Sequence, residues 1–285
     1  MRTAADHDTR LRDMTSGDLP AMHALSRLVQ WSHRQEDWDL MFKVGLGVVA
    51  ERDGQVVGAA MGWPHGPAAA TLGMVIVAPG ARGGGIGRKL MNAVMAQLGE
   101  RTILLNATEE GLPLYKSLGF KAVGGVHQHQ GAAFKVPMIK LRAHERVRPM
   151  GAGDEAAIVE LDRGASGLAR GRMFAQLLGA AQGVVLDRDN EAVGFALFRR
   201  FGHGYLIGPV VAPDAHGAKI LISHWLGSNP GMFTRIDAPY DSGLSTWLGD
   251  LGLAAVDRVT TMAFGEPPAR TAAAATFAIA SQALG

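Results

Sequence analysis

Residues 75–90 read VIVAPGARGGGIGRKL, and this stretch decides how the fold of the chain is interpreted. The β-branched run 75–77 predicts a strand, a glycine-rich loop follows it, and apolar residues at helical spacing begin at Ile86. Glycines let a backbone approach a ligand closely, while the free N–H groups and the dipole at a helix start favour anions. Arg82, Arg88 and Lys89 add positive charge around the loop. The combination is typical of a diphosphate-binding site.

Other phosphate-binding motifs fit this loop less well. A Walker loop requires Gly-Lys-Ser/Thr, whereas residues 87–89 are Gly-Arg-Lys. A dinucleotide fingerprint requires Gly-x-Gly-x-x-Gly, and no register of the loop supplies its third glycine. A flexible surface loop is the simpler alternative, but the flanking strand and helix disfavour it.

Two motifs in the first half of the chain carry a family resemblance. Residues 82–87, RGGGIG, match the pattern Arg/Gln-x-x-Gly-x-Gly/Ala, and residues 114–120, LYKSLGF, are similar to an LYxxxGF signature. Because the two motifs occur in this order, the chain resembles the GCN5-related N-acetyltransferases (GNAT family). The resemblance covers the chain from about Leu11 to Leu141. The whole chain also resembles a bacterial two-domain subgroup with a YitH/HsnT-type C-terminal domain. The residues that carry this resemblance are Trp31 and the stretches 36–38 (EDW), 106–108 (NAT), 127–131 (HQHQG) and 280–285 (ASQALG).

The resemblance implies acetyl-CoA as co-substrate and acetyl transfer to a primary amine, on a small molecule or a protein lysine. The loop amides would hold the CoA diphosphate, and the strand before the loop would pair with the pantetheine arm. The cofactor-binding residues implied in this way are Met74, Val75, Ile76, Val77, Arg82, Gly83, Gly84, Gly85, Ile86, Gly87, Arg88 and Asn106. The alternative is a regulatory protein that binds CoA or acetyl-CoA without transferring anything.

The resemblance also implies a catalytic residue, Tyr115, as proton donor to the departing thiolate. A phenol can play this role when it is held within hydrogen-bond reach, whereas the structural alternative is that Tyr115 only packs against Phe120. Residues 71–75 contain no carboxylate to act as the general base. Water could carry the proton of the amine away. The side chains that could act as the base in place of water are Glu36, Asp37, Asp39, Glu109, His127 and His129.

Candidate acceptor contacts are aromatic residues and histidines. Trp31, Trp38 and Trp63 could form an aromatic wall for an amine or could pack in the core. If residues 127–129 form a strand, His127 and His129 share a face. Because no nearby cysteine or carboxylate completes a metal site, we favour packing or substrate contact and predict no metal. The predicted substrate residues are Trp31, Trp38 and His129.

An internal repeat divides the chain. Residues 12–18, RDMTSGD, recur as residues 148–154, RPMGAGD, at an offset of 148 − 12 = 136. Further matches follow in the same order. Each copy has a helix-start signal, and two short strands joined by a turn follow it. We predict two domain-length copies, 1–143 and 146–285, in an α/β fold with α+β layers: tandem GNAT-like domains, each a mixed twisted sheet flanked by helices.

The second copy lacks the functional motifs. After residues 211–213 it reads DAHGAK, without the glycine pattern, and Leu248 stands where Tyr115 stands in the first copy. We therefore predict that residues 1–143 form the catalytic domain and that residues 146–285 are degenerate, shaping a substrate pocket at the junction or only supporting the first domain. The polar residues proposed for that pocket are Asp162, Arg163, Tyr205, His216, Asp237 and Tyr240.

Composition excludes several functional classes. The 285 residues are 47% hydrophobic and contain no cysteine, which excludes disulfides, thiolate metal sites and cysteine nucleophiles. The polar start, residues 1–6, has no signal core, and no stretch approaches a membrane span, so we expect a cytoplasmic protein without a membrane partner. With a formal net charge of +2, no nucleic-acid partner is predicted. The sequence does not identify the acceptor or the oligomeric state.

Overall fold

The computed structural model describes residues 9–271 and 273–285, in which the same order of elements occurs twice. The polar segment 1–6 lies outside the described residues. The elements of the first half are β1 (Arg10–Asp13), α1 (Leu19–Leu28), α2 (Gln35–Val44), β2 (Leu46–Arg52), β3 (Gln55–His65), β4 (Ala69–Val77), α3 (Ile86–Leu98), β5 (Thr102–Ala107), α4 (Leu112–Ser117) and β6 (Lys121–Ala132). Those of the second half are β7 (Glu145–Pro149), α5 (Glu155–Ser166), α6 (Gly171–Ala180), β8 (Gln182–Arg188), β9 (Glu191–Phe201), β10 (Gly204–Ala212), α7 (Ala215–Ser228), β11 (Phe233–Pro239), α8 (Ser245–Asp250), β12 (Leu253–Phe264) and β13 (Ala275–Ala278).

The repeat is visible in side-chain geometry. Arg12 donates two hydrogen bonds to the Asp18 carboxylate, at 2.7 and 2.8 Å, and Arg148 repeats both distances with Asp154. The hydrogen bond from Arg12 lowers the pKa of Asp18 to about 2, and that from Arg148 lowers the pKa of Asp154. Each pair fixes the chain between the first strand and first helix of its half.

The hairpin turns also follow from local sequence. Asp53 and Gly54 join β2 to β3 with φ values of +52° and +72°, and Asp189 and Asn190 join β8 to β9 with +53° and +69°. Positive φ at both central residues defines the turn that matches the twist of paired strands, and these residue types tolerate it. Both predicted strand pairs are therefore present.

One continuous sheet runs through both halves. Its order is β1-β2-β3-β4-β5-β12-β6-β11-β10-β9-β8-β7, with β13 paired to β10. Strands β1 to β6 of the first half correspond in order to β7 to β12 of the second. With this correspondence, the strand order is the same when it is read from either edge of the sheet. At the centre, β12 pairs with β5, β6 pairs with β11, and β6 and β12 pair with each other. The two halves have exchanged their sixth strands.

Helices cover the two faces of the sheet in different ways. On one face α3 packs over the first half and α7 over the second, each with its own buried cluster. On the other face α1, α2, α5 and α6 contribute to a single cluster that contains Met22, Trp38, Phe174 and Leu177. The two halves therefore share core as well as sheet. No helix within the described ranges is long and apolar enough to cross a membrane.

The predicted fold class is confirmed, with one difference in organisation. The sequence suggested two self-contained copies, whereas the exchanged strands place part of each copy within the sheet of the other. Strand order between copies depends on contacts more than a hundred residues apart, which local patterns do not encode. The predicted division at 143–146 falls at the start of β7, and as a division between functional domains it stays a prediction.

Candidate active site

A bulge in β4 opens the sheet. Ala59 pairs with Ile76 and Met61 pairs with Gly73, so three steps along β4 correspond to two along β3. The extra residue bends the strand, and Met74 takes a left-handed φ of +52°. On the other side, parallel pairing between β4 and β5 ends at Thr71 with Leu104. Beyond this pair the two strands separate, so the β4 backbone over residues 74–77 faces a cleft.

The glycine loop lies at the end of this strand. Gly83 and Gly85 have φ values of +86° and +73°, a region that favours glycine. A Cβ atom built on Gly80, Gly83, Gly84 or Gly85 would meet no heavy atom within 4 Å. Among the described residues, no backbone acceptor pairs with the N–H groups of Gly83 to Gly85. The loop and the first turn of α3 thus present open backbone donors to an anion.

The loop cations have surface partners. Arg82 donates from Nε to the Val77 carbonyl oxygen at 3.2 Å and forms an ion pair with Glu110. Arg88 donates to the Ser117 hydroxyl oxygen at 2.6 Å. Exposed ion pairs of this kind contribute about 0–1 kcal/mol, so an incoming anion can compete with the carboxylate for Arg82.

Tyr115 lies on α4, below the loop. Its ring packs edge-on against Phe120, with centroids 6.1 Å apart, and a Cβ on Gly111 would lie 2.7 Å from the ring. Burial raises the pKa of Tyr115 to about 12, so the phenol keeps its proton at neutral pH. Both interpretations of Tyr115 are compatible with this placement: the ring packs with Phe120, and the hydroxyl is a protonated group. Tyr115 is not one of the residues that line the cavity described next.

A cavity of about 650 Å³ lies at the junction of the halves, within the size range of small-molecule sites. Thr71 and Asn106 line it from the first half, where β4 and β5 separate, and Tyr240, Asp241 and Gln282 line it from the second. Of the six second-half residues proposed from the sequence, Tyr240 alone belongs to this described lining. The cavity therefore depends on both halves.

Asn106 joins the halves at this cavity. Its side-chain nitrogen donates to the backbone oxygen of Gln282 at 2.9 Å, and its side-chain oxygen accepts from the Thr261 hydroxyl at 2.8 Å. Asn106 was predicted as a cofactor contact, but both ends of its amide bind the second half. The structure places it in the cavity wall, and as a cofactor contact it stays a prediction.

A histidine holds the Thr71 side chain in the wall of the cavity. Nε2 of His65 and the Thr71 hydroxyl lie 3.0 Å apart, and both residues are buried. Burial lowers the pKa of His65 to about 3, with a further contribution from the positive charge of Arg170. The imidazole is therefore neutral near pH 7, and it fixes the Thr71 side chain at the point where the cleft opens.

In the second half the equivalent cleft is closed. β13 pairs with β10 through Val211 with Thr276 and Ala212 with Ala275, and the Ile279 N–H donates to the Asp237 carbonyl oxygen on β11 at 2.9 Å. This segment thus occupies the gap between β10 and β11. Sequence patterns did not predict β13, because it depends on the splaying of those two strands.

The helix start after β10 has an internal anion. The Asp214 carboxylate accepts from the Gly217 N–H at 2.9 Å and pairs with Arg142 at 2.8 Å. These contacts fill the position at α7 that corresponds to the open loop before α3. The negative charge predicted here from sequence is present as a helix cap.

Two predicted acceptor contacts are corrected by their burial. Trp38 is fully buried and its indole N–H donates to the Ser26 hydroxyl at 2.7 Å, so it is a core residue. His129 is 1% exposed, and its two ring nitrogens lie 2.9 Å from the Leu253 carbonyl oxygen and 3.0 Å from the Ser245 hydroxyl. Neither can meet a substrate without unfolding its surroundings.

The other candidate contacts lie outside the cavity lining. Trp31 is half-buried beside His33, with centroids 5.7 Å apart, and as an acceptor contact it stays a prediction. Trp63 is buried and donates to the Met41 carbonyl oxygen at 2.9 Å. His127 and His129 share a strand face as expected, and their ring centroids lie 6.1 Å apart. Within residues 9–271 and 273–285, no group of three or more acidic or histidine side chains could hold a metal ion.

Three of the six candidate bases form ion pairs with nearby cations. Asp37 is buried with Arg34, Asp39 pairs with Lys43, and Glu109 pairs with Arg258. None of the six candidates lines the cavity in the described part of the chain; the carboxylate that does is Asp241. Sequence patterns gave no signal for Asp241, because the strand exchange brings it to the cavity.

Comparison with known proteins agrees with this architecture. Models of the acetyltransferase (GNAT) domain match residues 44–122 and 158–278. The uncharacterized N-acetyltransferase YitH of Bacillus subtilis is 30% identical over 219 residues, covering 75% of this chain and 76% of that protein. The chain belongs to the GNAT acetyltransferase family. It is an acyltransferase with two GNAT domains, as the motifs at 82–87 and 114–120 predicted.

Solved structures with the GNAT fold span the whole chain. A Pyrococcus horikoshii protein described as an acetyltransferase has a TM-score of 0.81 at 19% identity, covering 100% of this chain and 98% of its own. A tandem GNAT protein from the clavulanic acid biosynthesis pathway has a TM-score of 0.65 at 15% identity, covering 90% and 98%. These likenesses show the tandem fold. The holothin acyltransferase of a Pseudoalteromonas species is 26% identical over 70% of this chain and 68% of its own length.

Proposed function

We propose that this GNAT protein transfers an acetyl group from acetyl-CoA to the primary amine of a small molecule. The observation that carries the proposal is that Thr71, where the pairing of β4 with β5 ends, also lines the cavity at the junction, so the cavity begins at the point where the cleft beside residues 74–77 begins. The donor and the acceptor would thus meet at one point of the sheet.

The residues of the first half fit acetyl-CoA. The N–H groups of residues 83–87 and the cations Arg82 and Arg88 would hold the diphosphate, since no side chain obstructs the loop. The backbone of residues 74–77 would pair with the pantetheine arm. Bound there, acetyl-CoA supplies the thioester whose carbonyl carbon is attacked.

The reaction needs few protein groups. The amine nitrogen forms a bond to the thioester carbon, the carbon–sulfur bond breaks, and the sulfur takes a proton from the Tyr115 hydroxyl. The nitrogen releases one proton to water as the amide forms, and Tyr115 regains a proton from water. Because burial raises the pKa of Tyr115 to about 12, the hydroxyl stays protonated at neutral pH. The ammonium form of the acceptor loses its own proton to water in the open cavity before attack.

The second half is proposed to act without a cofactor of its own. Its cleft contains β13 and its helix start contains the Asp214 carboxylate, which supports residues 146–285 as a degenerate copy. Residues 1–143 would then be the catalytic copy, and the second would complete the acceptor cavity through Tyr240, Asp241 and Gln282.

The test measures binding and turnover separately. Titration calorimetry with acetyl-CoA should show one saturable site per chain, and release of CoA thiol in the presence of an amine panel should identify an acceptor. Binding without thiol release for any amine would favour the regulatory alternative. No binding at near-millimolar acetyl-CoA would refute the proposal.

A further inference from the structure

The segment 280–285, directly after β13, is held by side chains from both halves. Arg199 donates to the Ala280 carbonyl oxygen at 3.0 Å, and Asn106 donates to that of Gln282 at 2.9 Å. Within the segment, the Gly285 N–H donates to the Ser281 carbonyl oxygen at 3.0 Å. These contacts make a closed, fixed loop.

A buried ion pair fixes the last residue of that loop. Arg170 and Asp162 are each about 1% exposed and share two hydrogen bonds of 2.6 and 2.9 Å. Arg170 also donates to the Gly285 backbone oxygen. A Cβ on Gly285 would lie 3.1 Å from the Thr71 methyl group, so the loop sits directly against the end of the β4–β5 pairing.

Two residues of this wall that line the cavity, Thr276 and Gln282, have polar side chains. The Thr276 hydroxyl is buried and has no hydrogen-bond partner in the described structure. The side-chain nitrogen of Gln282 lies 3.4 Å from the Gln128 side-chain oxygen, a weak hydrogen bond, and the Gln282 side-chain oxygen accepts no hydrogen bond from the described residues. A buried hydroxyl without a partner is unfavourable, and a ligand that hydrogen-bonds to it would relieve this.

The charges of the lining restrict the acceptor. Arg170 is neutralised by Asp162, and the remaining charged side chains of the described lining are Asp241 and Arg270, one of each sign. The other walls are mainly apolar. Asp241 is the one carboxylate of the described lining, so the further ammonium groups of a polycation would be buried without a carboxylate partner, at a high cost in lost hydration.

We infer that residues 276–285 form the specificity-determining wall of the acceptor cavity. The class of acceptor that fits is a small monoamine with an apolar body and one neutral hydrogen-bonding group directed at Thr276 and Gln282. This inference rests on the proposed function and adds to it the acceptor class and the residues that select it.

The test uses the full chain, acetyl-CoA and three probes: 4-(aminomethyl)benzamide, benzylamine and spermidine. We expect kcat/KM for the amide probe to exceed that for benzylamine and to exceed that for spermidine by about tenfold, a factor that one buried polar contact can supply. Thr276→Val and Gln282→Met should reduce the preference for the amide probe over benzylamine by about fivefold or more, with the Kd of acetyl-CoA unchanged. Thr276→Ser should restore it, and Gln176→Met on the exposed face of α6 should have no effect.

Preference for spermidine, or an unchanged preference in both variants, would overturn the inference while leaving acetyl transfer intact. Failure of the wild type to bind acetyl-CoA would instead refute the proposed function. In that case calorimetric binding of 4-(aminomethyl)benzamide still decides the wall: weaker binding to Thr276→Val than to wild type supports it, and equal or absent binding to both refutes it.

Discussion

The side-chain nitrogen of Asn106 lies 2.9 Å from the carbonyl oxygen of Gln282, a residue 176 positions later in the chain. The bond crosses from β5 of the first half to the loop that follows β13. It belongs to the cavity wall, and β12 lies beside it in the sheet through the pairing of Thr261 with Asn106. The cavity at the junction therefore requires both halves in their exchanged arrangement.

Separate halves should not fold as monomers. Residues 1–143 alone would leave β6 without β11 and β12, its neighbours on both sides, and would expose the edge of β5. Exposed edges promote association, so we expect aggregates or oligomers of either half alone. Size-exclusion chromatography and circular dichroism would test this, and co-expression of the halves should give a 1:1 complex. A monomeric half with a cooperative thermal transition would contradict the role of the exchange.

Gly84→Glu should weaken acetyl-CoA binding without unfolding the chain. Gly84 does not have the left-handed φ of Gly83 and Gly85, and its Cβ position is open, so a side chain adds charge with little strain. A carboxylate about 4 Å from a diphosphate costs about 1–4 kcal/mol, which raises Kd at least about fivefold. Calorimetry measures the change, with Gly84→Ala as the steric control. Equal affinity of the Glu variant and wild type would place the cofactor elsewhere.

Tyr115→Phe should lower kcat by about a hundredfold while acetyl-CoA affinity is retained, the lower end of the range for a lost general acid. Because burial raises the pKa of Tyr115 to about 12, the wild type should show no loss of activity from tyrosine ionisation between pH 8 and 10. Steady-state rates across that range provide the measurement. Tyr205→Phe, which changes a tyrosine stacked on Phe198 in the second half, is the matched control. A kcat equal in Tyr115→Phe and Tyr205→Phe would show that Tyr115 only packs.

Acid should destabilise the fold through His33. Burial lowers the pKa of His33 to about 4, below its ordinary value of about 6.5, and its Nδ1 has no partner among the described atoms. Between these two values the unfolded chain binds a proton that the folded chain does not, so the free energy of unfolding falls as pH falls. At pH 5 the loss from this group is about 2 kcal/mol relative to neutral pH.

Urea unfolding at pH 7 and pH 5 would measure that loss. His65, whose pKa is lowered to about 3, adds a second contribution of the same sign. His33→Gln should therefore remove only part of the acid sensitivity, while His203→Gln on the surface should leave it unchanged. Equal pH dependence of the His33 and His203 variants would contradict this assignment.

Asp162→Asn should destabilise the chain and disturb the cavity together. It leaves the Arg170 charge buried without its carboxylate, a change that costs about 3–5 kcal/mol in comparable cases. Glu160→Gln is the matched control on the same helix, since the Glu160–Arg163 pair is exposed and contributes little. Thermal melts compare the two variants. A melting temperature for Asp162→Asn equal to that of Glu160→Gln would show that the buried pair is not needed.

Sequence reasoning succeeded where the signal is local. The open loop at Gly83–Gly85 and the turn at Asp53-Gly54 depend on residues that are adjacent in the chain, and both are present. It failed for Trp38 and His129, because side-chain type does not reveal which face of a helix or strand is covered. Their cover comes from a core and a strand pairing that both halves share.

The residues of the cavity wall could not be predicted from local sequence, because they too come together through contacts between the two halves. Thr276, Gln282 and Asp241 lie far from the catalytic motifs in sequence and reach the cavity through the exchanged strands and the closed second cleft. Short polar residues in such places have no distinguishing pattern. The duplication itself was predictable, because its two Arg–Asp pairs recur at a constant offset.

The reciprocal exchange of β6 and β12 has a consequence for the history of the molecule. Two identical subunits related by a twofold axis could make the same palindromic sheet, but every substitution would then occur in both. Joining the copies in one polypeptide removes that constraint, and one copy can acquire Asp214 and β13 while the other keeps its glycine loop. The strand order of a symmetric pair is thus combined, in one chain, with two halves whose loops and clefts differ.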